Sequence, residues 1–193
     1  WLRIDNPKRL NAMSFSMWGE LLAGVEELGA DSDVRVIILA GHGGRAFCAG
    51  GDISEFDSLR SDANSKGSYD FAGAASMKAL REVSKPTITL IEGYCLGGGM
   101  GLALQCDLRF ASETAMLGIP AAKRGLAYDF SGVKQLVDLV GPANAKDILY
   151  TARRIDGREA QAMGLVNKAV PDKDIEPFVR DVATTIAGNA PLS

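Results

Sequence analysis

The run Gly97-Gly98-Gly99-Met100-Gly101 constrains this chain more than any other feature. It comes after Thr87 to Ile91, an apolar, β-branched stretch behind Pro86 that reads as a buried strand, and it opens onto the short apolar helix Leu102 to Gln105. A strand that turns into a helix over consecutive glycines points to α/β architecture. The first amides of a helix have no partner within it, and the helix dipole favours negative charge there. Without side chains in the way, a ligand oxygen can reach the backbone closely. A tight, closely packed turn also uses glycine, but three in a row exceed what such a turn requires.

The rest of the chain agrees with that class. Trp1 to Ile4, Val34 to Ala40, Leu108 to Ala111 and Leu165 to Val170 read as further strands. Ser14 can cap a helix whose apolar Met17, Leu21, Leu22, Val25 and Leu28 fall at helical spacing. Phe71 to Val83, Val133 to Val140, Ala143 to Tyr150 and Ile175 to Ala187 also read as helices, and Asp156 can cap another over Arg158 to Met163 that Gly164 stops. Ser58 to Ser68, polar and serine-rich, reads as a loop, and Gly118 to Gly132 as irregular. Strands alternating with helices predict an α/β fold with mainly parallel pairing.

At 193 residues the expectation is a single domain spanning 1–193. No apolar run approaches the roughly 18 residues of a membrane span. With 21 Lys+Arg against 24 Asp+Glu, the net charge of −3 argues against a nucleic-acid surface. Cys48, Cys95 and Cys106 form no CxxC pair and sit among apolar or small residues, which predicts buried free thiols and a cytoplasmic protein. The chain opens at Trp1 within a strand and ends at Ser193 without a clear stop, so it reads as a piece of a longer protein.

A second glycine loop, Phe47-Cys48-Ala49-Gly50-Gly51-Asp52-Ile53, also leads from a strand end toward a helix. Two amides from two such loops, converging on one carbonyl oxygen, would form an oxyanion hole that stabilises developing negative charge by several kcal/mol. Other chemistries fare worse. Gly41-His-Gly-Gly-Arg-Ala46 fits GxGxxA after a strand, the pattern of a dinucleotide site, but the residues after it are poor helix material and no acidic strand end follows at the right distance. No serine stands in GxSxG, which argues against a Ser-His-Asp hydrolase. The single histidine, His42, lies in a glycine-rich loop and reads as solvent-exposed, and no acidic cluster has metal-ligand spacing, so no metal is expected. Lys8, Arg9, Lys123 and Arg124 are candidates to contact a phosphate.

The two loops, in this order, resemble those of the crotonase family, the enoyl-CoA hydratase/isomerase superfamily. Asn6-Pro-Lys-Arg-Leu-Asn-Ala12 is similar to the family's early NRPxxLNA segment, and Ala46-Phe-Cys-Ala-Gly-Gly-Asp-Ile53 to its FxAGxD[IL] loop. Lys85-Pro86 through Gly93-Tyr-Cys-Leu-Gly-Gly-Gly99, then Cys106-Asp107, is similar to its KPxIAxxxGxxxGGG…xCD signature, and Gly157 to Val166 to its AxxxGLV segment. The resemblance implies a spiral of ββα units with mainly parallel sheets flanked by helices, assembled as a homotrimer or hexamer. It implies an acyl-CoA thioester as ligand and no further cofactor. It assigns the oxyanion amides to Gly51 and Gly98, and places Lys8, Leu10 and Ala12 along the CoA, with Ala49, Asp52 and Ile53 near its adenine. It also implies a first strand and C-terminal helices, over the acyl pocket, that this chain lacks.

The sequence departs from the hydratase pattern at both water-activating glutamates. The first position is Gly101 and the second, in Gly118-Ile-Pro-Ala121, is Ala121. Neither residue can move a proton. Gly125-Leu-Ala-Tyr-Asp129 resembles the dienoyl-CoA isomerase segment whose aspartate shuttles a proton, which makes Asp129 the candidate acid/base, with Tyr128 beside it; a helix cap near Ser131 is the other use for Asp129. Glu55 and Asp57 read as solvent-facing. The expectation is an acyl-CoA enzyme working through an oxyanion-stabilised enolate, by double-bond isomerisation or single-carboxylate hydration or dehydration rather than two-glutamate hydration. The alternatives are a non-catalytic acyl-CoA binder and, by the Gly41 loop, a nicotinamide-dependent oxidoreductase.

Overall fold

The structure, a computed structural model, describes residues 1–52, 55, 63–128 and 130–190, and within these all side chains except those of 63–70 and 131. In chain order the elements are β1 (Leu2–Ile4), α1 (Phe15–Ala30), β2 (Ile37–Gly41), β3 (Ala46–Cys48), α2 (Ala63–Glu82), β4 (Thr87–Ile91), β5 (Tyr94–Leu96) and α3 (Gly98–Ala103). There follow β6 (Leu108–Ser112), β7 (Met116–Gly118), α4 (Phe130–Thr151), β8 (Ile155–Asp156), α5 (Gly157–Ala162), β9 (Lys168–Val170) and α6 (Ile175–Gly188).

Among the described residues the strands form two sheets. One is five-stranded in the order β1-β2-β4-β6-β9, and the other four-stranded in the order β3-β5-β7-β8. Every pairing is parallel except β7 with β8. The pairs β2/β3, β4/β5 and β6/β7 each lay their first strand in the larger sheet and their second in the smaller one. The chain therefore winds as a spiral of ββα units, the fold implied by the sequence resemblance.

The apolar runs follow from this geometry. All residues of β2 and β4 are buried. On β2, Leu39 joins the main core while Ile38 and Ala40 pack with Ile88, Leu90 and Phe110 under α6, through Ile175 and Val179. Both sheet faces are covered, so the strands show no polar alternation. Helix α1 starts where Ser14 accepts the Met17 amide at 3.4 Å, and buries Trp18, Leu21 and Val25.

Three features bear on the sequence reading. Helix α2 begins at Ala63, inside the stretch read as a loop. Extending an existing helix by one residue adds one hydrogen bond without a new nucleation cost, so the packed stretch from Phe71 onward carries weak helix formers with it. The helices read separately before and after Gly141 are two helical stretches of α4, divided at Gly141, whose φ 74° and ψ 165° are not helical and which Pro142 follows. Strands β3 and β5, three residues each, lie in segments read as glycine-rich, and β7, also of three residues, lies in a stretch given no element, ending at Gly118 where the segment read as irregular begins.

Candidate active site

β3 and β5 are parallel neighbours, with Cys48 opposite Cys95. The loops leaving their C-terminal ends therefore emerge side by side. Helix α3 starts hard against the end of β3: a Cβ on Gly99 would stand 2.1 Å from the Cys48 carbonyl oxygen, so only glycine fits. Gly97 enters the turn at φ +53°, in the region that favours glycine. The two loops meet at Gly50-Gly51 and Gly97-Gly98. A Cβ built on Gly98 would lie 3.5 Å from the Gly51 nitrogen and 3.5 Å from the Gly50 Cα.

The amides at this junction stand outside the ladders. Gly51 forms a parallel bridge with Met13, in which Met13 N–H donates to Gly50 O at 2.8 Å and Asp52 N–H donates to Met13 O at 2.8 Å. In a parallel bridge the central residue turns its own N–H away from its partner, and Gly51 holds that place. Gly98 is the first residue of α3, while the Gly97 amide is taken up by Gly118 O at 2.9 Å. Among the described residues, neither the Gly51 nor the Gly98 N–H has a hydrogen-bond acceptor.

Both loops open on a cavity of about 500 Å³. Trp18, Leu96, Ile119 and Pro120 give it apolar walls, Ala121 and Tyr128 line it, and Lys123, Arg124, Arg153 and Arg154 stand at it; no described lining residue is acidic. Arg153 is engaged elsewhere: Glu159 and Asp147, each at 2.6 Å, raise its already high pKa. Arg154 lies over the Tyr94 ring at 5.3 Å. Gly101 is buried on α3, and a Cβ there would point at Met77 Cε (3.1 Å) and Tyr128 Oη (3.6 Å). Tyr128 Oη donates to Gly97 O at 3.5 Å. Asp129 and Ile53 lie outside the described residues.

The segment singled out near the start of the chain lies along the first loop. Ala49 N–H donates to Leu10 O at 3.1 Å, and the Met13–Gly51 bridge continues the contact, which brings Leu10 and Ala12 beside Ala49 and Asp52. Lys8 is exposed on the 3-10 turn Pro7–Arg9. The residue that holds this arrangement is one the sequence reading gave no role, Asn11. Buried at φ 57°, it donates through Nδ2 to His42 O (2.9 Å) and Ala46 O (2.7 Å), and accepts the Asn6 amide at 3.0 Å. A pair of asparagines five apart beside a proline was the available signal. Glu55, expected to face solvent, accepts the Phe15 amide at 2.7 Å in an exposed hydrogen bond at the start of α1, and Asp57 lies outside the described residues.

Other candidates separate cleanly. His42 is exposed. The Gly41 to Ala46 segment joins β2 to β3, two strands, and so presents no helix N-terminus to a pyrophosphate. The three cysteines are buried and free. Burial pushes the Cys48 thiol up from 9.0 to about 12 and Cys106 to about 11, so neither is an activated nucleophile. Among the described residues no group of three or more His, Cys, Asp or Glu could hold a metal ion, and no helix is long and apolar enough to cross a membrane.

The family model described as enoyl-CoA hydratase/isomerase matches residues 1–193. The chain belongs to this family. The short-chain-enoyl-CoA hydratase of Clostridium acetobutylicum is 35% identical over 190 residues, covering 98% of this chain and 72% of that protein. The peroxisomal Delta(3,5)-Delta(2,4)-dienoyl-CoA isomerase of Arabidopsis thaliana is 33% identical over 203 residues, covering 100% of this chain and 73% of that protein. An enoyl-CoA hydratase/carnithine racemase structure from Magnetospirillum magneticum superposes with a TM-score of 0.94 at 36% identity, over 98% of this chain and 71% of that one. The fold is thus the crotonase fold, and the chain is an enzyme of this family.

Proposed function

We propose that this enzyme binds an acyl-CoA thioester, polarises its carbonyl with the Gly51 and Gly98 amides, and shifts a double bond through the resulting enolate. The observation that carries the reading is the junction itself: two loops that meet at Gly51 and Gly98, whose N–H groups have no acceptors among the described residues, beside a cavity of about 500 Å³ that both glycines line. Negative charge that develops on the thioester oxygen falls between the two donors, where fixed dipoles stabilise it without reorganisation. Loss of the α-proton, the step that makes the enolate, becomes correspondingly easier.

Isomerisation fits better than two-carboxylate hydration because Gly101 and Ala121 occupy the positions where hydratases carry their glutamates, and neither can activate water. Asp129 takes the proton from one carbon of the acyl chain and returns it to another. Lys8, Leu10, Ala12, Ala49, Asp52 and Ile53 lie along the CoA, and Lys123 and Arg124 answer its phosphates. No cofactor beyond the CoA of the substrate is needed. The enzyme works in the cytoplasm as a homotrimer or hexamer.

The same two replacements favour a second reading, a protein that holds acyl-CoA without turning it over. Turnover of a panel of 2-enoyl-, 3-enoyl- and dienoyl-CoA thioesters by the parent and by Asp129→Asn separates them. Isomerisation that falls by at least about 100-fold in the variant, with acyl-CoA binding retained, supports the proposal. Tight binding without turnover of any substrate supports the binder, and unchanged turnover by Asp129→Asn removes Asp129 from the mechanism.

A further inference from the structure

We infer that Gln105 and Gln135 are a positioning pair that sets α4, and with it the Asp129 segment, in register with α3. The inference rests on the proposed roles of Gly98, the first residue of α3, and of Asp129, which in the chain stands just ahead of Phe130, the first residue of α4. The proposed chemistry needs a fixed distance between the amide that holds the carbonyl and the carboxylate that moves the proton, and the two belong to different elements.

The pair is reciprocal. Gln105 Nε2 donates to Gln135 Oε1 at 2.7 Å, and Gln135 Nε2 donates to Gln105 Oε1 at 2.9 Å. Gln105, two residues past the end of α3, is buried, and the rest of its bonding capacity is also used. Its Nε2 donates to Gly101 O at 3.0 Å, and its Oε1 accepts from Arg81 Nη1 of α2 at 3.1 Å. Both donors and both acceptor sites of this amide are thereby filled. The bond to Gly101 ties the side chain to α3 itself. Among the described residues, no other hydrogen bond joins residues 98–105 to α4.

Apolar packing leaves this end of α4 unset. The side chains of α4 that join the main core begin at Leu136 and continue through Val140, Ala145 and Ile148, away from Asp129. Ahead of Leu136, Phe130 is exposed and Val133 is half-buried outside that core. Packed apolar surfaces are also non-directional, so they hold two helices together without fixing how far one slides or turns against the other. Two opposed hydrogen bonds are directional and admit one register. Gln135 stands immediately before Leu136, where the packed stretch gives way to the first turn. On the other side of Asp129, Tyr128 packs against the core. The pair thus sets the flank of the Asp129 segment that Tyr128 does not.

The test compares the parent with Gln135→Met. Methionine fills the space adaptably, and Gln105 keeps Gly101 and Arg81 as partners, so the fold is expected to stand. For the isomerised thioester, kcat should fall about 10- to 100-fold, the cost of a small misplacement of a catalytic group, with KM within about twofold. The carbonyl stretch of carbon-13-labelled butyryl-CoA, read by isotope-edited infrared difference spectroscopy, should move to lower frequency on binding as far as in the parent, because α3 and its first amide stay against β3. Gln135→Glu keeps an acceptor for Gln105 Nε2 and should return kcat to within about threefold of the parent. A kcat in Gln135→Met within about twofold of the parent, or an equal loss in Gln135→Glu, overturns the inference and leaves the proposed function intact. So does a carbonyl displacement that shrinks along with kcat, which places the effect on α3. A parent that isomerises none of the panel, or that shows no displacement, overturns the proposed function and the inference with it.

Discussion

At the scale of single residues, the site is defined by side chains that are missing. Gly98 is the sharpest case. Its backbone is not in a glycine-only conformation, and a Cβ there would meet its neighbours at 3.5 to 3.6 Å, ordinary contact distances. Gly98→Ala is therefore expected to fold, with unfolding free energy within about 1 kcal/mol of the parent. The new methyl would nevertheless stand 3.5 Å from the Gly51 nitrogen, in the gap where the thioester oxygen is proposed to bind. Turnover should fall by about 10²- to 10³-fold, the cost of spoiling one oxyanion donor. Paired urea unfolding and initial-rate measurements check both halves; unchanged rates would remove Gly98 from the site. The glycines were legible in the sequence because a run of three has few other uses. Asn11 and Tyr128 were less so, since their partners are backbone carbonyls 31 and 35 residues away in the chain, and 31, respectively.

At the scale of elements, the junction exists because β3 and α3 touch. The neighbouring glycine shows how little slack there is. A Cβ on Gly99 would come within 2.1 Å of the Cys48 carbonyl and 2.9 Å of its carbon, and backbone cannot swing aside as a flexible side chain can. Gly99→Ala should destabilise by more than about 3 kcal/mol or prevent folding, visible as a large drop in the urea midpoint. Gly98→Ala and Gly99→Ala thus give opposite phenotypes one residue apart. The strands of the larger sheet announced themselves through runs such as Ile37–Gly41 and Thr87–Ile91, buried on both faces. The three-residue strands of the smaller sheet did not, because so short a piece has no periodicity and its pairing is fixed by strands that lie far off in the chain. The kink in α4 had its signal, Gly141 followed by Pro142, and the two helical stretches read on either side of it mark the same break.

At the scale of the whole molecule, the spiral places the ends of successive strands on one side and buries three thiols beneath them. In an unfolded chain these thiols ionise near 9.0, whereas in the folded chain burial holds Cys106 to about 11 and Cys48 to about 12. Between those values the unfolded state binds fewer protons, so stability falls as pH rises through that window. Urea midpoints should be level from pH 7 to 8 and decline from pH 9 to 11, and Cys48→Ala should flatten the decline; a pH-independent midpoint in the parent would show that the thiols are not so buried. Overall architecture was legible because the two glycine loops and the alternation of strands and helices belong to one pattern spread along the chain, while the contacts that aim individual groups became visible only once the strands were paired. The proposed catalysis depends on two amides meeting one oxygen. The most direct measurement labels glycine with nitrogen-15, assigns Gly51 and Gly98, and compares their amide resonances with butyryl-CoA and with free CoA. Both proton resonances are expected to move downfield with the thioester and not with free CoA. If neither moves, or if free CoA moves them equally, the thioester oxygen does not sit between these amides.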